Sequence, residues 1–188
     1  MLYVNGVRKR MSTVYFTSDL HLGHKAIAKY RPEFRDEQDH FEYRSLAWHT
    51  RVRKHDKVFV LGDCAFTKER LLEFSKWTGT KALILGNHDL PCHTVSLLDL
   101  NDVFEGRVYS LYKHKEFWLS HAPLHPEELR GRKNIHGHTH FHVIDDPAYI
   151  NVCSEVTLKG EPVSIDEIRN FIGTGSHVRF KYEWTKGY

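Results

Sequence analysis

The sequence predicts an α/β protein in which a two-sheet β-sandwich is flanked by helices, and three observations predict it. Short, almost wholly apolar runs alternate with helix-patterned stretches over residues 14–85. Strand-like segments then follow one another closely over residues 103–153. The first three apolar runs each stop on glycine or a small polar residue, as buried strands do where they leave a sheet.

Val14-Tyr15-Phe16-Thr17 reads as a buried strand that stops at Ser18-Asp19. Residues 39–52 carry apolar side chains at helical spacing, with Phe41, Leu46, Trp48 and Val52 as core contacts. Residues 57–61 (Lys-Val-Phe-Val-Leu) form a second buried strand ending at Gly62-Asp63. Residues 68–77 read as a second helix with Leu71, Leu72, Phe74 and Trp77 on its apolar face. Residues 81–85 (Lys-Ala-Leu-Ile-Leu) form a third buried strand ending at Gly86-Asn87. Strand, helix, strand, helix, strand implies parallel β-α-β units, because a parallel partner needs a crossover.

The second half changes character. Residues 103–112 and 117–120 read as neighbouring antiparallel strands, and residues 134–136 and 149–153 as further short ones. Ser164-x-x-Glu167 is a capping-box start for a helix through Ile172. Residues 177–184 alternate and read as a late edge strand.

Length suits one domain, residues 1–188, with residues 1–12 as an N-terminal extension; residues 1–10 read either as that extension or as a misplaced start. Hydrophobic content is 40% and mean hydropathy −0.52. No apolar run approaches the roughly 20 residues that span a bilayer, and the N-terminus lacks the pattern of a signal peptide, so no membrane partner is expected. Three cysteines without a C-x-x-C fit a reducing cytoplasm. The net charge of +3 is a weak pointer to nucleic acid and suits a nucleotide or small phosphate ester as well. The outstanding feature is 15 histidines scattered along the chain rather than gathered in a tract. Histidine is the commonest metal ligand.

Polar residues cluster where the buried strands end: Asp19-x-His21, Gly62-Asp63, Gly86-Asn87-His88-Asp89, Ser120-His121 and Gly137-His138-Thr139-His140. In parallel sheets, sites gather outside the carboxyl ends of the strands. Residues two apart in an extended segment point the same way, so Asp-x-His and His-x-His each aim a pair at one point. Carboxylate with imidazole suits Mn²⁺, Fe or Zn²⁺, and the lack of thiolate argues against a structural zinc site. Such a set is too large for one ion and suffices for two that share a carboxylate.

These five blocks, in this order, resemble the calcineurin-like metallophosphoesterase superfamily, over roughly residues 14–168. Residues 18–25, with the later Asn151-Val152 and Pro162-Val163-Ser164, resemble its small bacterial and phage members. The resemblance implies a four-layer αββα metallophosphoesterase fold and two divalent transition-metal ions, Mn²⁺ foremost, with Fe, Zn²⁺ or Ni²⁺ as alternatives. It implies that Asp19, His21 and His140 hold the first metal, Asn87, His121 and His138 the second, and that Asp63 bridges them. His88 would act at the scissile phosphate and Asp89 would orient His88. The implied reaction is hydrolysis of a phosphomono- or phosphodiester, a nucleotide or related small molecule, by a metal-bridging hydroxide. A nuclease acting on DNA or RNA, a metal-poor protein-binding scaffold, and a single-metal or metal-storing protein are the alternatives.

His24 reads either as a contact to substrate phosphate or as a cap on the helix from Lys25. Arg31, Arg35, Arg44, Arg51 and Arg53 form a basic stretch, read as a solvated face or, at Arg31, as a substrate contact. Arg130, Arg132 and Lys133 form a second basic candidate. Tyr30, Phe34, Tyr43 and Trp48 read as core ahead of a base-stacking role, and Cys64 as a small buried thiol.

Overall fold

The computed structural model describes residues 2–4, 7–9, 12–90 and 95–173. Strands β1 (Leu2–Val4) and β2 (Val7–Lys9) pair antiparallel. Strands β3 (Val14–Thr17), β4 (Lys57–Val60), β5 (Thr80–Ile84), β6 (Val108–Tyr109) and β11 (Val163–Ser164) form a five-stranded sheet in the order β11-β3-β4-β5-β6. All its pairs are parallel except β11 on β3. Strands β7 (Tyr112–His114), β8 (Phe117–Leu119), β9 (Lys133–His136) and β10 (Tyr149–Asn151) form a four-stranded sheet in the order β10-β9-β8-β7. Only β7 and β8 run antiparallel there. The protein is therefore a mixed α/β structure of two mixed sheets with flanking helices.

The helices are α1 (Ile27–Tyr30), α2 (Glu37–Arg51), α3 (Lys68–Ser75), α4 (Leu97–Val103), α5 (Pro126–Leu129) and α6 (Ile165–Gly173). Their starts follow local chemistry. Asp36 caps α2 by accepting the Asp39 N–H, and Thr67 caps α3 by accepting the Arg70 N–H. Ser164 and Glu167 complete the expected capping box at α6, with Ser164 N–H donating to Glu167 Oε2 at 2.8 Å.

Strand β4 shows why its sequence reads as one apolar run. Val58 and Val60 face Trp48 of α2, Leu71 and Phe74 of α3 and Leu100 of α4. Phe59, and Leu61 just beyond the strand, face Phe117, Leu119, Ile135 and Ile150 of the other sheet. A strand buried on both faces loses the polar alternation of a half-exposed one. Phe16 and Phe59 stack between the sheets, centroids 5.7 Å apart. Ile165 and Ile168 of α6 join the same inter-sheet core.

Several expectations need correction. Residues 103–112 are not one strand. Ser96 and Asp99 form a capping box that starts α4, which runs through Val103. Only Val108–Tyr109 pairs with β5, and Tyr112–His114 enters the other sheet. Leu46 and Leu72 are 68% and 50% exposed. The buried face of α2 runs through His40, Arg44, Ala47 and Trp48, so Leu46 points away; α3 buries Leu71 and Phe74, which leaves Leu72 outside. The late strand expected over residues 177–184 lies outside the described residues. Among those described, no helix is long and apolar enough to cross a membrane.

Candidate metal centre

Each polar cluster sits at the carboxyl end of a strand. Asp19 follows β3, Asp63 follows β4, Asn87 and His88 follow β5, His121 follows β8 and His138 follows β9. Backbone bonds carry the sheets on into these loops: Asp19 N–H donates to Gly62 O at 3.1 Å, His21 N–H to Asp63 O at 2.9 Å and Gly137 N–H to His121 O at 2.9 Å. Ser18 pairs in parallel with Cys153, which ties the end of one sheet to the other.

The side chains converge by a different route from the extended alternation expected. Asp19, His21, Asp63, His138 and His140 have φ of 56°, 51°, 53°, 68° and 49°. These are left-handed conformations that non-glycine residues adopt rarely, at a cost of order 1–3 kcal/mol each, and such strain concentrates at functional sites. Gly62 also turns at φ +92°, and a Cβ there would strike the His121 ring. A Cβ at Gly137 would strike Ser18 Oγ and the Asp19 carboxylate, so this glycine provides space.

Two groups of ligand atoms result. Asp19, His21 and His140 form one, with His21 Nε2 3.6 Å and His140 Nε2 3.8 Å from Asp19 Oδ1. Asn87, His121 and His138 form the other: His121 Nε2 and His138 Nδ1 lie 2.8 and 3.0 Å from Asn87 Oδ1 and 3.1 Å from each other. Asp63 Oδ2 stands 3.5 Å from both His21 Nε2 and His121 Nε2, between the groups. All seven residues expected to bind metal are thus brought together. Asp19 and Asp63 lie buried at the floor, and Asn87, His88 and His138 are exposed at the rim.

The donor set fits cations. Asp19 Oδ1 and His21 Nε2 are buried without a hydrogen-bond partner, facing each other. Buried polar atoms are rarely left so, because each lost bond costs about 1–3 kcal/mol. His121 Nδ1 donates to Leu61 O at 2.8 Å, so in the neutral ring Nε2 turns a lone pair toward Asn87 Oδ1. His140 Nδ1 donates to Glu155 Oε1 at 2.7 Å, so in the neutral ring the Nε2 lone pair faces Asp19 Oδ1, acceptor toward acceptor, as ligands around a cation do.

The charges agree. Burial would raise the Asp19 carboxyl, but the His21 and His121 rings and the Ser18 hydroxyl together outweigh it and hold Asp19 well below the usual carboxylate range. Burial would lower His21, and Asp19 and Asp63 outweigh it and raise the ring. A field that favours positive charge at His21 would also favour a metal cation there.

Three site expectations change. Asp89 does not spend its carboxylate on His88; it is buried and accepts backbone N–H from Asp63, Cys64 and Gly86. Arg31 is 2% exposed and faces Glu155 rather than substrate, and Arg44 is buried too, so the basic stretch is not one solvated face. His24 Nδ1 accepts the Ala26 N–H at 3.2 Å ahead of α1, close to the capping alternative. Its ring packs on Phe66 at 4.8 Å and on exposed Tyr30 at 5.5 Å, so Tyr30 is not core. Phe34 and Trp48 are core, and Cys64 is buried. Glu155 escaped the reading; its only sequence signal is its place just after the strand at Asn151-Val152.

No family model matches the sequence. The chain is 33% identical over 165 residues to the Gene 66 protein of Mycobacterium phage L5, covering 69% of this chain and 78% of that protein. It is 32% identical over 198 residues to the Gene 66 protein of Mycobacterium phage D29, covering 86% and 96%. Uncharacterized protein MJ1445 of Methanocaldococcus jannaschii is 32% identical over 185 residues, covering 90% and 96%. Among solved structures, the protein of unknown function AQ665 from Aquifex aeolicus is similar at TM-score 0.65 and 24% identity, covering 86% of this chain and 100% of that one. That likeness shows the fold.

Proposed function

The chain belongs to the family of the mycobacteriophage Gene 66 proteins, and on that premise we propose that it is a phosphoesterase working with two divalent cations. The substrate is a phosphomono- or phosphodiester, a nucleotide or related small molecule. The observation that carries this reading is the buried pair Asp19 Oδ1 and His21 Nε2, unpartnered and aimed into a ring of further lone pairs. The ordered blocks from Asp19-x-His21 to Gly137-His138-Thr139-His140 support it through their resemblance to the calcineurin-like metallophosphoesterases. With that resemblance goes the four-layer αββα form of the fold.

Asp19, His21 and His140 would hold one cation, Asn87, His121 and His138 the other, with Asp63 shared. Oxygen and imidazole ligands suit Mn²⁺ first, with Fe, Zn²⁺ or Ni²⁺ as alternatives. When bound, such cations supply Lewis acidity toward water and neutralise charge on a phosphoryl group. His88 stands exposed at the rim, its ring centroid 5.9 Å from that of His21. Its role is to hold a proton for the leaving oxygen. Asp63 Oδ1 accepts the His88 N–H at 2.9 Å, which fixes the His88 backbone beside the shared ligand. Asp89 acts through the loops it ties together.

The test is a screen of the Mn²⁺-loaded full chain against bis(p-nitrophenyl) phosphate, p-nitrophenyl phosphate, cyclic nucleotides, dinucleotides, mononucleotides and single-stranded DNA. Mn²⁺-dependent hydrolysis that Asp63→Asn abolishes is expected. A loaded chain that leaves every one of these intact contradicts the proposal.

A further inference from the structure

We infer that Glu155, held by Arg31, is a positioning residue for His140 and makes the pocket of Asp19, His21 and His140 the tighter of the two cation sites. The inference rests on the two-cation reading above and adds to it an order between the sites.

Glu155 comes from the loop after β10, and its side chain is 3% exposed. Its Oε1 accepts the His140 Nδ1–H at 2.7 Å and Arg31 Nε–H and Nη2–H at 3.0 and 2.5 Å. Arg31 then reaches back to the first ligand's own backbone. Nη2 donates to Asp19 O at 2.6 Å and Nη1 to Leu20 O at 3.4 Å. One guanidinium therefore ties the left-handed turn at Asp19 to the carboxylate behind His140. His40 steadies it from below: its Nε2 accepts from Arg31 Nη1 at 2.7 Å and from Arg44 Nε at 3.2 Å.

The second pocket is backed differently. His121 Nδ1 donates to the Leu61 carbonyl, a neutral acceptor. A carboxylate behind an imidazole fixes its tautomer and makes it a more basic ligand than a carbonyl does, and losing such a partner typically lowers metal affinity by about 10–100-fold. The pockets also differ in one ligand, the Asp19 carboxylate in the first and the neutral Asn87 amide in the second, which favours the first in the same direction. The carboxylate behind His140 adds to that difference, and Glu155→Gln isolates its share.

The experiment is calorimetric titration of Mn²⁺ into the metal-stripped full chain. Wild type is expected to bind in two steps, the tighter of which His140→Ala deletes. Glu155→Gln should weaken that same step by about 10–100-fold and leave the other in place. That variant leaves Arg31 buried without a carboxylate, which can unfold a protein. Arg31→Met combined with Glu155→Gln removes both charges, keeps an oxygen opposite His140 Nδ1, and should show the same selective loss. Nitrogen-15 NMR of the metal-free wild type should find His140 protonated on Nδ1, and Glu155→Gln should give a mixture of tautomers; a role confined to packing moves neither readout. A folded Glu155→Gln chain, or the double variant, that keeps both steps at wild-type affinity or weakens both equally overturns the inference. A wild-type chain that takes up no Mn²⁺ at all overturns the two-cation reading instead.

Discussion

Asp89 holds Asp63 through the backbone: its Oδ2 accepts the Asp63 N–H at 2.9 Å. The same oxygen takes the Gly86 N–H at 2.7 Å, and Oδ1 takes the Cys64 N–H at 2.9 Å. The ends of β4 and β5 are clipped together by one carboxylate that is 2% exposed. Burial pushes its pKa up while these donors oppose the shift.

Asp89→Ala would strand two buried N–H groups, each costing about 1–3 kcal/mol, and a half-buried third, so a loss of at least about 2 kcal/mol is expected in urea unfolding. If Asp89 instead served to orient the His88 ring, turnover would fall while the unfolding midpoint stayed in place.

At Gly62→Ala the new methyl meets the His121 ring and the backbone sits at φ +92°. We expect a loss of about 1–3 kcal/mol in stability from backbone strain. Metal analysis after Mn²⁺ loading should show the pocket of His121 emptied while that of His140 still fills.

Removing the rim histidine tests the chemistry apart from the cage. His88→Ala should lower turnover of bis(p-nitrophenyl) phosphate by about 10²–10⁴-fold, the usual worth of a general acid, with Mn²⁺ content unchanged. Full activity in this variant would remove His88 from the mechanism.

The inter-sheet core makes a separate prediction. Phe59 is fully buried between the sheets, so Phe59→Ala should cost about 3–5 kcal/mol in thermal or urea unfolding. Leu72→Ala, on an exposed helix face, should stay within about 0.5 kcal/mol of wild type.

What the sequence made legible follows from these contacts. Strands β3, β4 and β5 are buried on both faces, so they stand out as apolar runs, and Asp19, Asp63 and Asn87 follow within three residues of their ends. Helix α4 was missed because seven residues give too little period to read, and its Ser96–Asp99 box lacks the usual Glu or Gln. The split of residues 108–114 between two sheets depends on partners far away in the chain. The left-handed conformations at Asp19, His21, Asp63, His138 and His140 fall on non-glycine residues, so residue type does not announce them. Arg31 and Glu155 are 124 residues apart, and only the folded chain reveals that each is the other's partner.

Anomalous X-ray scattering from crystals of the Mn²⁺-loaded chain tests the account most directly. Two manganese peaks are predicted, one among Asp19, His21 and His140, the other among Asn87, His121 and His138, with Asp63 touching both. A single peak, or none at these side chains, would contradict it.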